Sequence, residues 1–287
     1  FGHASTGDGV HIDEQSDEPI YVDESALTEY TGSSIDTVCN YQSGPSRNGC
    51  EDPRITHIED RLYMTYTVFD GAHPPGVAMT SIAVDDFLAK RWNWRPPMLI
   101  SPLHQAHKNW GVFPEKIGGK FALLHCISPD VQIEYFDTLD WEAEFRINSQ
   151  FASSGDPQRW DNQIRGAGPP PLKTHAGWLV IYHAMDQRDP GRYKLGVMLL
   201  DLAEPTRILA RLSYPLLEPD AHYENQGFKQ GVVYACGAVL IGDRLQVYYG
   251  GADTVVCVAS VNFFELLVEL QGQPVPGTAT ALQGAPC

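Results

Sequence analysis

A chain of 287 residues, 43% of them hydrophobic, can bury a large core as one large domain or two ordinary ones. Its formal net charge of −16 argues against a phosphate-backbone partner, because nucleic-acid binding needs a basic face. It also offers no basic amphipathic segment for a membrane surface, and no apolar run approaches the ~18 residues of a membrane span.

In chain order, the opening "FGHASTGDGVHIDEQSDEPIYVDE" reads as the third and fourth strands of a unit whose first two strands are not in view. No signal peptide is visible, although the sequence opens at Phe1, inside an expected strand, as if upstream residues were missing. Next comes "GCEDPRITHIEDRLYMTYT" (Gly49 to Thr67), two alternating runs around the charged turn Glu59-Asp60-Arg61. Pro53 suits the start of a first strand, which need not donate a ladder hydrogen bond there. Three further strand pairs follow: "PEKIGGKFALLHCIS" from Pro114, "PPLKTHAGWLVIYHAMD" from Pro170 and "CGAVLIGDRLQVYYGGAD" from Cys236. The second strands start near Leu62, Phe121, Trp178 and Leu245, about 60 residues apart, a spacing expected of stacked supersecondary units. A third strand follows each pair ("GVAMTSIAV", "VQIEYFDTLDW", "YKLGVMLLDL", "VVCVASVNF"), and "PMLISP", "AEFRI" and "ARLSYPLLEP" fit a fourth. Four strands per repeat stacked radially make a β-propeller blade. The expectation is an all-β chain, with residues 1–267 a five-bladed catalytic propeller whose first blade is incomplete and residues 268–287 a C-terminal tail. An all-β sandwich with coincidental spacing is the alternative. The six cysteines contain no CxxC pair and read as mostly buried thiols of a reducing, cytoplasmic setting, with a Cys39–Cys50 bridge left open.

In a propeller the innermost strands line a central channel, so polar residues ahead of each first strand can meet in one cleft. These are Glu51, Asp52 and Arg54; then Lys108, Asn109, Trp110, Glu115 and Lys116, with His125 and Cys126; then Arg165, His183, Asp186 and Tyr193; then Tyr223, Glu224 and Asp253. Carboxylates take sugar hydroxyls, aromatic rings stack on a pyranose face, and the acids and histidines can transfer protons in glycosidic cleavage. Plainer readings stand beside these. Asp52 can cap a turn with Arg54 as its ion partner, Lys116 can be a solvated turn lysine, Glu224 an ordinary loop charge, and Trp110 and Trp178 core. "GAGPPP" (166–171) lacks the GK[ST] ending of a P-loop and leads into a strand. With no HExxH and no GxSxG, a metal and a serine-hydrolase triad are both unsupported.

The stretches "GCEDPRIT", "KNWGVFPEKIGGKFALLH", "GAGPPPLKTHAGWLVIYHAMD", "YKLGVMLLDL" and "CGAVLIGDRLQVYYGGADT" resemble, in this order, the β-mannoside phosphorylases and mannosidases of glycoside hydrolase family 130. The resemblance covers Phe1 to about Leu267. It implies a five-bladed propeller that cleaves β-linked mannosides with inversion, and it allows dimers or larger assemblies. By resemblance Asp52 is the proton donor, acting through a sugar hydroxyl, and Asp253 holds the mannose. Asn109, His183 and Tyr193 match the phosphate-binding set, and Lys108 stands where an arginine is usual. Two positions depart from that set: Cys126 replaces an arginine, and Ile164 stands where the family has a lysine. Losing two cations from a phosphate nest should cost a few kcal/mol of anion affinity. The adjacent Arg165 offers only a weak substitute, because neighbouring strand residues face opposite ways. The expectation is therefore an inverting β-mannosidase acting on β-1,2- or β-1,4-manno-oligosaccharides with water. Asp52 would be the acid and Glu224 the base; Glu115 competes for that role, and the residues do not choose between them. Arg54, Lys108, Asn109, Glu115, Lys116, His183, Tyr193 and Asp253 would bind substrate, with no metal and no cofactor. One alternative is a phosphorylase that uses inorganic phosphate as co-substrate and releases α-mannose 1-phosphate. The other is a non-catalytic sugar-binding propeller.

Overall fold

The alternating runs form antiparallel strands that pair with strands close to them in the chain. The computed structural model describes residues 1–23, 49–70, 73–142, 144–153 and 155–272. A short pair, β1 (Ala4–Ser5) and β2 (Glu14–Gln15), comes first. The second sheet runs β3 (Gly49–Ile58), β4 (Arg61–Phe69), β5 (Gly76–Ala83) and β6 (Met98–Leu99) in spatial order. The third holds β7 (Gly111–Val112), β8 (Phe121–Cys126) and β9 (Gln132–Phe136). In the fourth, β10 (Gln163–Ala167), β12 (Trp178–Asp186), β13 (Asp189–Leu200) and β14 (Ile208–Arg211) lie in that order, and β11 (Leu172–Lys173) also pairs with β12. The fifth is β15 (Val233–Ile241), β16 (Arg244–Gly251) and β17 (Val255–Asn262).

The all-β expectation holds, with local differences. Within "AEFRI" the described residues, 144–147, form no strand; Phe145 instead stacks on Trp141 at 4.6 Å, and both pack on Phe136. The fourth sheet starts at Gln163, ahead of the expected Pro170, because β10 and the short β11 of the expected first strand share one edge of β12. The boundary placed at residue 267 falls inside a helix, Phe263–Gln271. Asn262 caps it, accepting from the Phe264 and Glu265 N–H groups, and Phe263, Leu266, Leu267 and Leu270 are buried at helical spacing. Cys50 carries a free thiol; Cys39, its possible partner, lies outside the described residues.

Strand periodicity explains how the sheets stack. On β12, Leu179 and Ile181 face a core shared with Val233, Leu245 and Val247 of the fifth sheet. Trp178, Val180 and Tyr182 face another, shared with Phe113, Ala122 and Leu124 of the third-sheet region. The third sheet meets the second through Trp110, Leu123, Tyr63 and Met79, and the second meets the N-terminal segment through Tyr66, Met64, Ile20 and Tyr21. A strand buried on both faces reads as a continuous apolar run, as "WLVIYHAM" does. Each such side chain contributes roughly 1.5–3 kcal/mol by burial.

Candidate active site

Four of the sheets carry a register break where they meet a common cavity. On β3 it lies between Glu51 and Arg54, on β8 between Leu124 and Cys126, on β10 between Ile164 and Gly166, and on β15 between Ala235 and Gly237. A bulge places an extra residue against one partner and re-aims the side chains around it. As a result Glu51 and Asp52 both line the cavity, as do His125 and Cys126. The cavity holds about 480 Å³. Three of its lining residues, Asp52 (φ 55°), Asn109 (φ 68°) and Asp253 (φ 57°), have left-handed backbone, which Asp and Asn tolerate better than most residues. Strain of this kind is typical of functional sites.

Behind the cavity lies a buried polar hub. Arg54 is 2% exposed, and its guanidinium donates to the Gly168 carbonyl (2.8 Å), the Asp52 carbonyl (2.7 Å) and Asn109 Oδ1 (2.8 Å). Asn109 Nδ2 donates to the Arg165 carbonyl at 3.1 Å, and the Tyr234 hydroxyl donates to Asn109 Oδ1. Tyr234 stacks on His183 with ring centroids 3.9 Å apart. His183 Nε2 lies 3.0 Å from the Ala235 N–H, and burial pushes the ring's pKa down to about 3, so it is a neutral acceptor.

Charge is concentrated at the cavity wall. Lys108 Nζ lies 3.0 Å from Glu51 Oε2 and 3.5 Å from Asp52 Oδ2. Burial alone would raise the Asp52 carboxyl, but the positive charges of Lys108 and Arg54 outweigh it and hold the group below the usual carboxylate range. Lys229 Nζ sits 3.2 Å from Asp253 Oδ2. Arg165 also lines the cavity, and no carboxylate among the described residues forms an ion pair with it.

The structure brings Asp52, Lys108, Asn109, Tyr193 and Asp253 to one cavity. Arg54 and His183 stand behind it and hold its wall. Glu115, Lys116 and Glu224 are elsewhere. Glu115 is exposed and pairs with Lys173, while Lys116 pairs with Glu59 at 2.8 Å and lies over the Phe121 ring. Glu224 is 3% exposed; its carboxylate accepts from the Tyr249 hydroxyl at 2.6 Å and from the Ala221 N–H at 2.7 Å, which caps the short helix His222–Asn225. Tyr223 and Asp186 also lie off the cavity, Asp186 being held by Arg188 and Asn162.

Among the cavity residues that were missed are His107, Phe151, Lys229 and Tyr234. Tyr234 stands just ahead of the run expected from Cys236, so the rule that selected Glu51 and Asp52 would have found it. Lys229, in "NQGFKQG", carries no periodic signal. Among the described residues no group of three or more His, Cys, Asp or Glu side chains could hold a metal, and no helix is long and apolar enough to cross a membrane.

The model of a family described as β-1,4-mannooligosaccharide phosphorylase matches residues 34–271. A 1,2-β-oligomannan phosphorylase from Thermoanaerobacter sp. (strain X514) is 37% identical over 219 residues, covering 76% of this chain and 70% of its own. A β-1,2-mannobiose phosphorylase from the same organism is 34% identical over 262 residues, covering 91% and 76%. Among solved structures, the complex of β-1,2-mannobiose phosphorylase from Listeria innocua with β-1,2-mannobiose is similar with a TM-score of 0.68 at 28% identity, covering 93% of this chain and 68% of that one.

Both Thermoanaerobacter relatives are named phosphorylases, and this overturns the expectation of a mannosidase that uses water. The physical premise behind that expectation also fails. Ile164 is buried in the core, while Arg165, the extra residue of the β10 bulge, lines the cavity, so the bulge brings to the site a cation that regular alternation was expected to withhold. Lys229 adds another cation to the cavity.

Proposed function

The chain belongs to glycoside hydrolase family 130, and from that membership we propose that it is a phosphorylase of β-linked mannosides, cleaving with inorganic phosphate and releasing α-mannose 1-phosphate. The names of the Thermoanaerobacter relatives favour β-1,2-linked substrates. One observation carries the reading: Arg165, without a carboxylate partner among the described residues, faces the same cavity as Asp52. Phosphate carries between one and two negative charges near neutral pH, and removing it from water requires several charged donors. Arg165, Lys108, Lys229 and the Tyr193 hydroxyl supply them. Asp52 gives a proton to the leaving sugar, and phosphate attacks the anomeric carbon from the opposite face, inverting it. Because phosphate is itself the nucleophile, no carboxylate base is needed. That fits Glu224 and Glu115 being held away from the cavity. Asp253, fixed by Lys229, takes mannose hydroxyls.

We read the second to fifth sheets as propeller blades, with β1 and β2 contributing to another. The catalytic unit then runs through the helix ending at Gln271. The free thiols of Cys50, Cys126, Cys236 and Cys257 fit a reducing, cytoplasmic setting. The test is incubation with β-1,2-mannobiose with and without phosphate. Mannose 1-phosphate and mannose should appear only with phosphate. Mannose released equally fast in phosphate-free buffer, or sugar binding without turnover, would refute the reading.

A further inference from the structure

Cleavage requires Asp52 to arrive with a proton, yet its nearest cation favours the ionised form. Lys108 Nζ bridges Glu51 Oε2 and Asp52 Oδ2, and these three side chains are 17%, 14% and 22% exposed. The other groups facing Asp52 are Arg54 on its own strand, the neutral His183 of β12, and Tyr234 and Cys236 of β15, the last two held protonated chiefly by burial. With a lysine and an arginine close by, the carboxylate is charged. That state suits the synthetic direction, where it would accept a proton, and not phosphorolysis. The same lysine belongs to the anion cavity. The next residue in the chain, Asn109, donates to the Arg165 carbonyl, which ties the backbone of Arg165 to the segment that carries Lys108.

We propose that inorganic phosphate loads Asp52 with its proton: the bound anion draws the Lys108 ammonium off the Asp52 carboxylate, sets negative charge beside it, and the carboxylate takes up a proton from solvent. This rests on the phosphorylase reading above. The proton passes from bulk buffer to an Asp52 carboxylate oxygen, and no covalent bond between heavy atoms changes. When the leaving sugar oxygen takes that proton, Asp52 is again the carboxylate that Lys108 holds in the free enzyme. Glu51, the closer partner of the ammonium, keeps it within reach of both positions. Lys108 is thus a positioning residue for the acid as well as a ligand for the anion, and a phosphate-free enzyme is protected from giving its proton to water-driven side reactions.

The test is calorimetric titration of inorganic phosphate at pH 6 in two buffers of different ionisation enthalpy, where the dependence of heat on buffer reports protons bound. The wild-type uptake should exceed that of Asp52→Asn by about half to one proton; the variant subtracts any proton that phosphate itself gains or loses. Equal uptake overturns the proposal. Lys108→Gln gives a second check. Without the ammonium, the Asp52 carboxylate loses the cation that favours its ionised form and is already partly protonated before phosphate arrives. Its phosphate affinity should fall and its uptake should drop toward that of Asp52→Asn; uptake equal to the wild type overturns the role of Lys108. Failure to bind phosphate in either buffer would overturn the phosphorylase reading and this proposal together, whereas binding with equal uptake overturns this proposal alone.

Discussion

Ile164 and Arg165 divide two duties across one peptide bond. The isoleucine is 3% exposed in the core shared by the third and fourth sheets, and the arginine faces the cavity. Arg165→Ala should therefore raise the KM for phosphate by ~10–100-fold while leaving the KM for mannobiose within about threefold, the pattern of a lost charged contact to one substrate only. Arg165→Lys should recover part of it. Steady-state kinetics with each substrate varied in turn would check this, and an equal effect on both KM values would refute it. The place of Asp52 at the cavity was legible because charged residues gathered ahead of a first strand are unusual, whereas its proton-donor role came from the family resemblance. Glu224 misled for the opposite reason. In "HYENQG" it looks like a loop acid, and only three dimensions reveal the Tyr249 hydroxyl and the helix N-terminus that hold it.

At the scale of the strand, bulges do what side-chain chemistry alone could not. Period-two alternation made the strands and their pairing legible, but one inserted residue reverses which face every later side chain takes. The sequence does not announce the insertion, which is why Arg165 was assigned the wrong face. Gly166 makes the bulge of β10 possible. Its φ is +136°, and a Cβ there would come within 2.5 Å of Asn109 Nδ2. Gly166→Ala should displace Asn109, cost roughly 1–3 kcal/mol of stability and lower kcat/KM for phosphorolysis at least ~10-fold. Denaturant melts alongside kinetics would test it, and a variant with native kcat/KM would show that the close approach is unimportant.

For the whole molecule, the order of sheets was readable because each strand pairs near itself in sequence and the about 60-residue repeat marks each new sheet. The cavity was not, since its residues come from many segments far apart in the chain. Buried rings make a further whole-molecule property. Burial lowers the pKa of His125 to about 4 and of His183 to about 3, and His107 shifts the same way. Above about pH 6.5 these rings are neutral in folded and unfolded chains alike. As pH falls through 6.5 the unfolded chain binds protons that the folded one refuses, so stability declines until the folded rings titrate. Each ring contributes roughly 1.4 kcal/mol per pH unit within that window. Depressed carboxylates such as Asp52 add to the loss only below their ordinary range near pH 4. Thermal melts should show Tm falling steadily from pH 6.5 to 4, and a flat profile would contradict the burial argument.

Arg54 joins β3, the loop before β7 and the segment following β10 through a single guanidinium. Fragments of the chain could keep hairpins and circular-dichroism signal yet have no pocket, because the clasp closes only when distant pieces dock around it. Turnover is therefore a readout of complete assembly, and a screen for improved variants scored by activity would also select, unasked, for intact long-range docking.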